Sequence, residues 1–149
     1  MITRQYRDAD WDRVQEIYDL SKPDEMGGDV DAAALRPLAS DPEMLELFRA
    51  SKIVVATDDD DEVIGFGGFK GSYVSWLFVH PAYRRRGVAR ALLASMLARL
   101  EGPIRLNVLR SNVAAIKLYE EFGFTVSKDF VGRFNGQDVN VLTLTSGDR

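Results

Sequence analysis

The sequence predicts an α/β fold. It is a single domain whose mixed, mostly antiparallel sheet has a central parallel pair and helices on both faces. Three observations predict it. Residues 73–109 read strand, helix, strand, which requires a parallel pair joined by a right-handed crossover. Turn signals at Asp58–Glu62 and at Asn135-Gly136 join β-rich segments and require antiparallel neighbours. Strand and helix periods share the rest of the chain with no repeat and no long linker, as expected of one domain over residues 1–149.

Residues 2–7 alternate weakly and form an edge strand. Asp8 or Asp10 can cap the helix that follows, in which Trp11, Val14, Ile17 and Tyr18 fall on one face. "SKPDEMGGD", residues 21–29, should break this helix with its proline and two glycines. A second helical region comes in two pieces because Pro37 interrupts it, and Asp41-Pro42 restarts it as cap and first-turn proline. Lys52–Thr57 and Val63–Phe69 are strands joined by the acidic turn, which lacks the spaced ligands of a calcium loop. Tyr73–Val79, rich in aromatic and β-branched residues, should be a strand buried on both faces. Val88, Leu92, Met96 and Leu100, with Leu93 and Leu97 beside them, define an amphipathic helix that Gly102-Pro103 ends. Residues 104–109 are the next strand. Asn112 caps a helix carrying Ile116, Tyr119 and Phe122, and Gly123 closes it. Residues 125–131 and 138–144 form the last hairpin.

Composition narrows the chemistry. Nineteen basic against 23 acidic residues give a net charge of −4, which argues against a nucleic-acid-binding module. With no cysteine and one histidine, thiolate catalysis and multi-cysteine or multi-histidine metal sites are excluded, so no metal is expected. No stretch approaches the roughly 18 apolar residues of a membrane span. The first dozen residues have no signal-peptide core. A cytoplasmic protein, monomer or homodimer, without a membrane or nucleic-acid partner is expected.

"HPAYRRRGVARALL", His80–Leu93, sets three arginines and a glycine against a helix start. The first amides of a helix lack internal partners and carry the positive end of its dipole. An anion fits there, Gly87 lets backbone approach it closely, and guanidinium forks suit phosphate oxygens. A solvated basic cap is the alternative. The loop has no Gly-Lys-Ser/Thr and no second glycine, so it is neither a P-loop nor a dinucleotide fingerprint.

Arg84-x-x-Gly87-x-Ala89 after "LFVHP" resembles the pyrophosphate-binding motif of the GNAT superfamily of acetyl-CoA-dependent N-acyltransferases. "NVAAIKLYEEFGF", with Asn112, Ala115, Tyr119, Gly123 and Phe124, is similar to a second motif of that family. The resemblance implies acetyl-CoA as acyl donor. It assigns Leu77, Phe78 and Val79 to the pantetheine and thioester end, and Arg84, Arg85, Arg86, Gly87, Val88, Ala89 and Arg90 to the diphosphate. Asn112, Ala115 and Tyr119 then approach the arm and the sulfur from the other side. The implied acceptor is a primary amine of a small molecule or peptide.

In such a reaction a backbone N–H of residues 77–79 is the family-like oxyanion donor. Tyr119 resembles the general acid. A phenol near pKa 10 lies close to a thiol at about 8.5, so transfer to the leaving sulfur is feasible; a core aromatic is the plain alternative. The base departs from the family pattern, because "YVSWLFV" carries no carboxylate. Asp24 and Glu25, expected in a loop after the first helix, and Trp76 are acceptor-site candidates. His80 better suits a structural or phosphate-side role. Asp129, Asp138 or a water chain are further sources of a base. A non-catalytic acyl-CoA-binding regulator on the same fold is the competing reading.

Overall fold

The computed structural model describes residues 1–28, 30, 31 and 35–147. In chain order the elements are β1 (Ile2–Gln5), α1 (Trp11–Met26), α2 (Pro42–Ala50), β2 (Lys52–Thr57), β3 (Val63–Lys70), β4 (Tyr73–Val79), α3 (Val88–Leu97), β5 (Arg105–Leu109), α4 (Val113–Glu121), β6 (Phe124–Phe134) and β7 (Gln137–Ser146). Short 3-10 turns occupy Asp8–Asp10, Leu38–Ser40 and Pro81–Tyr83. The strands form one sheet in the order β1-β2-β3-β4-β5-β7-β6, antiparallel throughout except for the parallel pair β4–β5. This is the mixed α/β sheet that the periodicities predict.

Each face carries its own core. On one, Val88, Leu92, Leu93 and Met96 of α3 and Tyr119 of α4 pack with Val54, Ile64, Val74 and Leu106. On the other, Val14, Ile17 and Tyr18 of α1 and Phe48 of α2 pack with Phe66, Trp76 and Phe78. A smaller cluster of Met26, Leu109, Val139 and Val141 ties the end of α1 to the last hairpin.

Local signals hold where the chain turns. Asp41 accepts a hydrogen bond from the Met44 amide with Pro42 in the first turn, and Asn112 accepts one from the Ala115 amide. Asn135 and Gly136 both take positive φ, 47° and 87°, as a two-residue hairpin with the right twist requires. Asp10 stands at the start of α1, but its carboxylate accepts from the Arg7 amide at 2.8 Å and from both terminal nitrogens of Arg4 at 2.9 Å.

Two expectations are corrected. The first helix does not break at residues 21–29; it runs through Pro23 to Met26 and stops at Gly27, with φ 59°. Proline removes one hydrogen bond and crowds the preceding turn. Tertiary contacts offset that cost: the Ser21 hydroxyl donates to the Val79 carbonyl at 3.0 Å, and Met26 is buried. Asp24 and Glu25 therefore stand on the last turn of α1 rather than in a loop. Asp29, and residues 32–34 of the helical piece expected before Pro37, lie outside the described residues. Strand β4 is not buried on both faces either. Val74, Trp76 and Phe78 are buried, whereas Tyr73, Ser75, Leu77 and Val79 are half-buried.

The β3–β4 register steps over Ser75, pairing Gly68 with Trp76 and Phe69 with Val74. This bulge puts Val74 in the α3/α4 core and Trp76 in the α1/α2 core. The glycines of β3 let α3 lie directly on the strand. A Cβ on Gly65 would stand 3.0 Å from the Phe78 carbonyl oxygen and 2.9 Å from Val88; one on Gly67 would meet the Met96 thioether end at 2.8 Å. A backbone oxygen within a sheet cannot step aside, but a methionine tip can. Gly65→Ala should thus lose about 1–3 kcal/mol by urea unfolding, and Gly67→Ala less. The reverse order would show that α3 does not rest on β3 as described.

Candidate active site

The site begins where the sheet comes apart. The parallel pairing of β4 with β5 covers only Tyr73 with Arg105 and Val74 with Leu106. Beyond it the strands diverge. His80 donates its amide to the Ile64 carbonyl at 2.9 Å, and Val79 stands opposite Gly65. Antiparallel pairing alternates, so the polar groups of Leu77 and Val79 point away from β3, into the gap. The Ser21 hydroxyl satisfies the Val79 carbonyl. The amides of Leu77 and Val79 and the Leu77 carbonyl remain for a ligand.

A cavity of about 330 Å³ occupies this gap. Val74 to Val79 form one wall; Leu106, Asn112, Ala115 and Tyr119 form the other; Lys22, Glu25 and Met44 close the α1/α2 side. It continues into a depression over the start of α3, lined by Tyr83, Arg84, Arg85, Gly87, Ala89 and Arg90. About two thirds of these residues are ones the sequence assigns to a site; Lys22, Met44, Val74, Ser75, Leu106 and Tyr83 are brought in by the fold.

The arginine loop has the shape its sequence predicts. Gly87 takes φ 80° at the cap of α3, with open space where a Cβ would stand. Arg85 also takes positive φ, 62°. Among the described residues Arg85 and Arg86 have no carboxylate partner, and Arg86 lies over the Tyr83 ring at 5.3 Å. Arg84 and Arg90 are engaged: Arg84 pairs with Asp24 at 2.6 Å and Arg90 with Glu121. The two free guanidinium groups and the first amides of α3 suit an anion. The His80 ring nitrogen Nδ1 accepts from the Ala82 amide at 3.0 Å, the structural role expected of it.

Tyr119 is 8% exposed. Its ring packs on Phe124 at 5.9 Å, and the residue also lines the cavity. Burial pushes its pKa above the ordinary phenol value, and the negative charge of Glu25 and the neighbouring Tyr73 add to that. The hydroxyl is thus a firmly protonated hydrogen-bond donor, and a weaker acid than a free phenol.

The acceptor-side candidates separate. Glu25 enters the cavity: Oε1 lies 3.5 Å from Lys22 Nζ, and Oε2 is buried with no hydrogen-bond partner. Asp24 is exposed and bound to Arg84. Trp76 is 3% exposed, its indole packed among Tyr18, Phe48, Phe66 and Phe78, with its N–H unpartnered. Asp129 pairs with Arg110 and Asp138 with Arg133 at 3.7 Å, and neither lines the cavity. Sequence reasoning missed Ser21 and Lys22, because both fell within the stretch read as a helix break. Among the described residues no cluster of three metal-ligating side chains occurs, and no helix is long and apolar enough to cross a membrane.

The chain is similar to known proteins in sequence and in fold. Over 73 residues the chain is 33% identical to the peptidyl-lysine N-acetyltransferase YjaB of Salmonella typhimurium, covering 49% of this chain and 50% of that one. Over 71 residues it is 37% identical to the [ribosomal protein bS18]-alanine N-acetyltransferase of Escherichia coli, covering 43% and 48%. The matches thus span about half the length of these curated relatives. The fold is shared with a GCN5-related N-acetyltransferase from Rhodopseudomonas palustris, with TM-score 0.82, 20% identity, and 98% and 94% of the two chains covered. It is shared too with YncA of Salmonella typhimurium, a structure solved with its cofactor acetyl-CoA, with TM-score 0.74, 19% identity, and 99% and 93% covered. The family model described as "Acetyltransferase (GNAT) domain" matches residues 49–126, from the end of α2 to β6, which include the splayed strands, the arginine loop and Tyr119. The chain belongs to the GNAT acetyltransferase domain family.

Proposed function

We propose that the protein transfers an acetyl group from acetyl-CoA to a primary amine of a small molecule or peptide by direct attack. The observation that carries this reading is the unpaired stretch of β4. Its free amides face a cavity with an anion-ready loop at one end and a phenol and a carboxylate at the other. These residues fit the donor. Leu77 and Val79 offer backbone hydrogen bonds to an extended arm, and Arg85, Arg86 and the first amides of α3 suit a diphosphate. The donor supplies an activated acetyl group as a thioester.

The residues divide the remaining work. An amide of Leu77 or Val79 donates to the carbonyl oxygen as negative charge develops there. Tyr119 holds its proton toward the departing sulfur. Its raised pKa makes full transfer to a thiolate harder than for a free phenol, so stabilisation by a hydrogen bond is a large part of its role. Glu25 is the base: its second oxygen is buried, unpartnered and within the cavity. The carboxylate missing from β4 is thereby supplied by the end of α1.

The reading is tested by thiol release from acetyl-CoA against a panel of amino acids, polyamines, aminoglycosides and peptides. Tight acetyl-CoA binding without turnover on any amine would instead mark a binding protein. Tyr119→Phe keeps the ring and loses the hydroxyl; kcat should fall by about 10²–10⁴-fold with little change in donor affinity. Parental kcat, with chemistry rate-limiting, would leave Tyr119 as a core aromatic alone.

The amine sets the need for a base. Neutralising a lysine-type amine of pKa about 10.4 at pH 7 costs about 4.6 kcal/mol, but an α-amine of about 8 costs only about 1. Glu25→Gln should therefore lower kcat/KM at pH 7, most for ε-amines, and the deficit should shrink toward pH 10. A constant deficit across pH would remove Glu25 from proton transfer.

Gly87→Ala probes the loop. The left-handed conformation should cost about 1–2 kcal/mol of stability, with no steric clash. Gly87→Glu adds like charge and should abolish acetyl-CoA binding in calorimetry while the protein stays folded. Unchanged binding would move the diphosphate elsewhere.

A further inference from the structure

Lys22 is set apart from the other four lysines. Lys52, Lys70, Lys117 and Lys128 are exposed, whereas the Lys22 side chain is 12% exposed. Its ammonium lies over three rings, 5.6 Å from the centroid of Tyr18, 5.7 Å from Phe78 and 5.1 Å from Phe134. Among the described residues its one ionic partner is Glu25, at 3.5 Å. It lines the same cavity as Leu77, Val79 and Tyr119, and Phe78, one of its three rings, lies between the two residues whose amides face the gap. A primary amine thus stands inside the reaction cavity, shielded from bulk water, with a carboxylate at hand.

We propose that Lys22 is an internal acetyl acceptor, modified by the protein's own site when the donor is bound and no external amine is present. The inference rests on the acetyl-transfer reading above. Glu25 takes a proton from the Lys22 ammonium. The freed lone pair forms the N–C bond to the acetyl carbon, and the C–S bond breaks. Of the two protons the nitrogen sheds, one ends on the thiol sulfur and one in solvent. The products are Nε-acetyl-lysine at position 22 and free coenzyme A. Acetylation removes the cation beside Glu25 and fills part of the acceptor side of the cavity, so the modified protein should turn over external amines more slowly.

Site identity separates this from chemical acetylation, and reaction order separates it from transfer between protein molecules. Uncatalysed acetylation by a thioester favours exposed amines and leaves a shielded lysine for last. The purified protein is incubated with acetyl-CoA alone and mapped by peptide mass spectrometry. Lys22 should be acetylated ahead of Lys52, Lys70, Lys117 and Lys128, at a per-molecule rate independent of protein concentration. Tyr119→Phe should slow the reaction at Lys22 and leave the exposed lysines unaffected. Acetyl groups on exposed lysines only, or a Lys22 rate that grows with protein concentration, would overturn the proposal. Thiol release with external amines is measured on the same preparation. Turnover there without Lys22 acetylation overturns this inference alone, whereas no transfer to any amine by protein that binds acetyl-CoA overturns the acetyl-transfer reading with it.

Discussion

Two residue pairs hold β4 to β5, and the site depends on there being no more. Had the parallel ladder continued past Val74 and Leu106, the Leu77 and Val79 amides would be spent on β5 and the cavity would close. Both strands stay anchored on their other sides. β4 is paired with β3 from Tyr73 to Val79, and β5 with β7 from Arg105 to Leu109. The gap is thus a break between two half-sheets, each of which is paired on its far side. Ser21 shows how closely this is managed: its hydroxyl takes up one carbonyl at the rim and leaves the neighbouring amides open.

The bulge at Ser75 makes the two sides of the gap different. By shifting the alternation of β4 it sends Val74 to the α3/α4 core and Trp76 and Phe78 to the α1/α2 core. The arginine loop and Tyr119 belong to the first side, and Lys22 and Glu25 to the second. Under the proposed function, a donor held from one side and an amine arriving from the other would meet at the unpaired backbone between them. The Arg84–Asp24 ion pair joins these sides at the rim. Both groups are substantially exposed, so the pair adds little to stability; its position links the loop to the last turn of α1.

Much of this was legible along the chain. Gly87 next to three arginines, Asn112 at a helix start and Tyr119 seven residues on are local features, and local chemistry sets them: a left-handed cap, a side-chain cap and a helical face. The hairpin at Asn135-Gly136 and the crossover over residues 73–109 follow in the same way from turn chemistry and strand order. In sequence, strand β4 reads as buried on both faces because its aromatic and branched residues look alike. Only the neighbours on each side show that one face borders a cavity.

The end of α1 marks the limit of sequence reading. Pro23 and two glycines are sound breaking signals, and by themselves they favour a stop at Ser21. The helix instead continues to Met26, because Ser21 bonds to a strand 58 residues away and Met26 packs against β5 and the last hairpin. Contacts so distant in sequence leave no local pattern, yet they decide that Lys22 and Glu25 reach the cavity while Asp24 turns to Arg84. The sequence by itself determined the strand and helix order, the left-handed glycine at the end of the arginine loop and the candidate phenol, each of which depends on neighbours a few residues apart. The tertiary structure alone decided where the sheet parts and which carboxylate stands in the gap, because both depend on packing between segments that meet only in the folded chain.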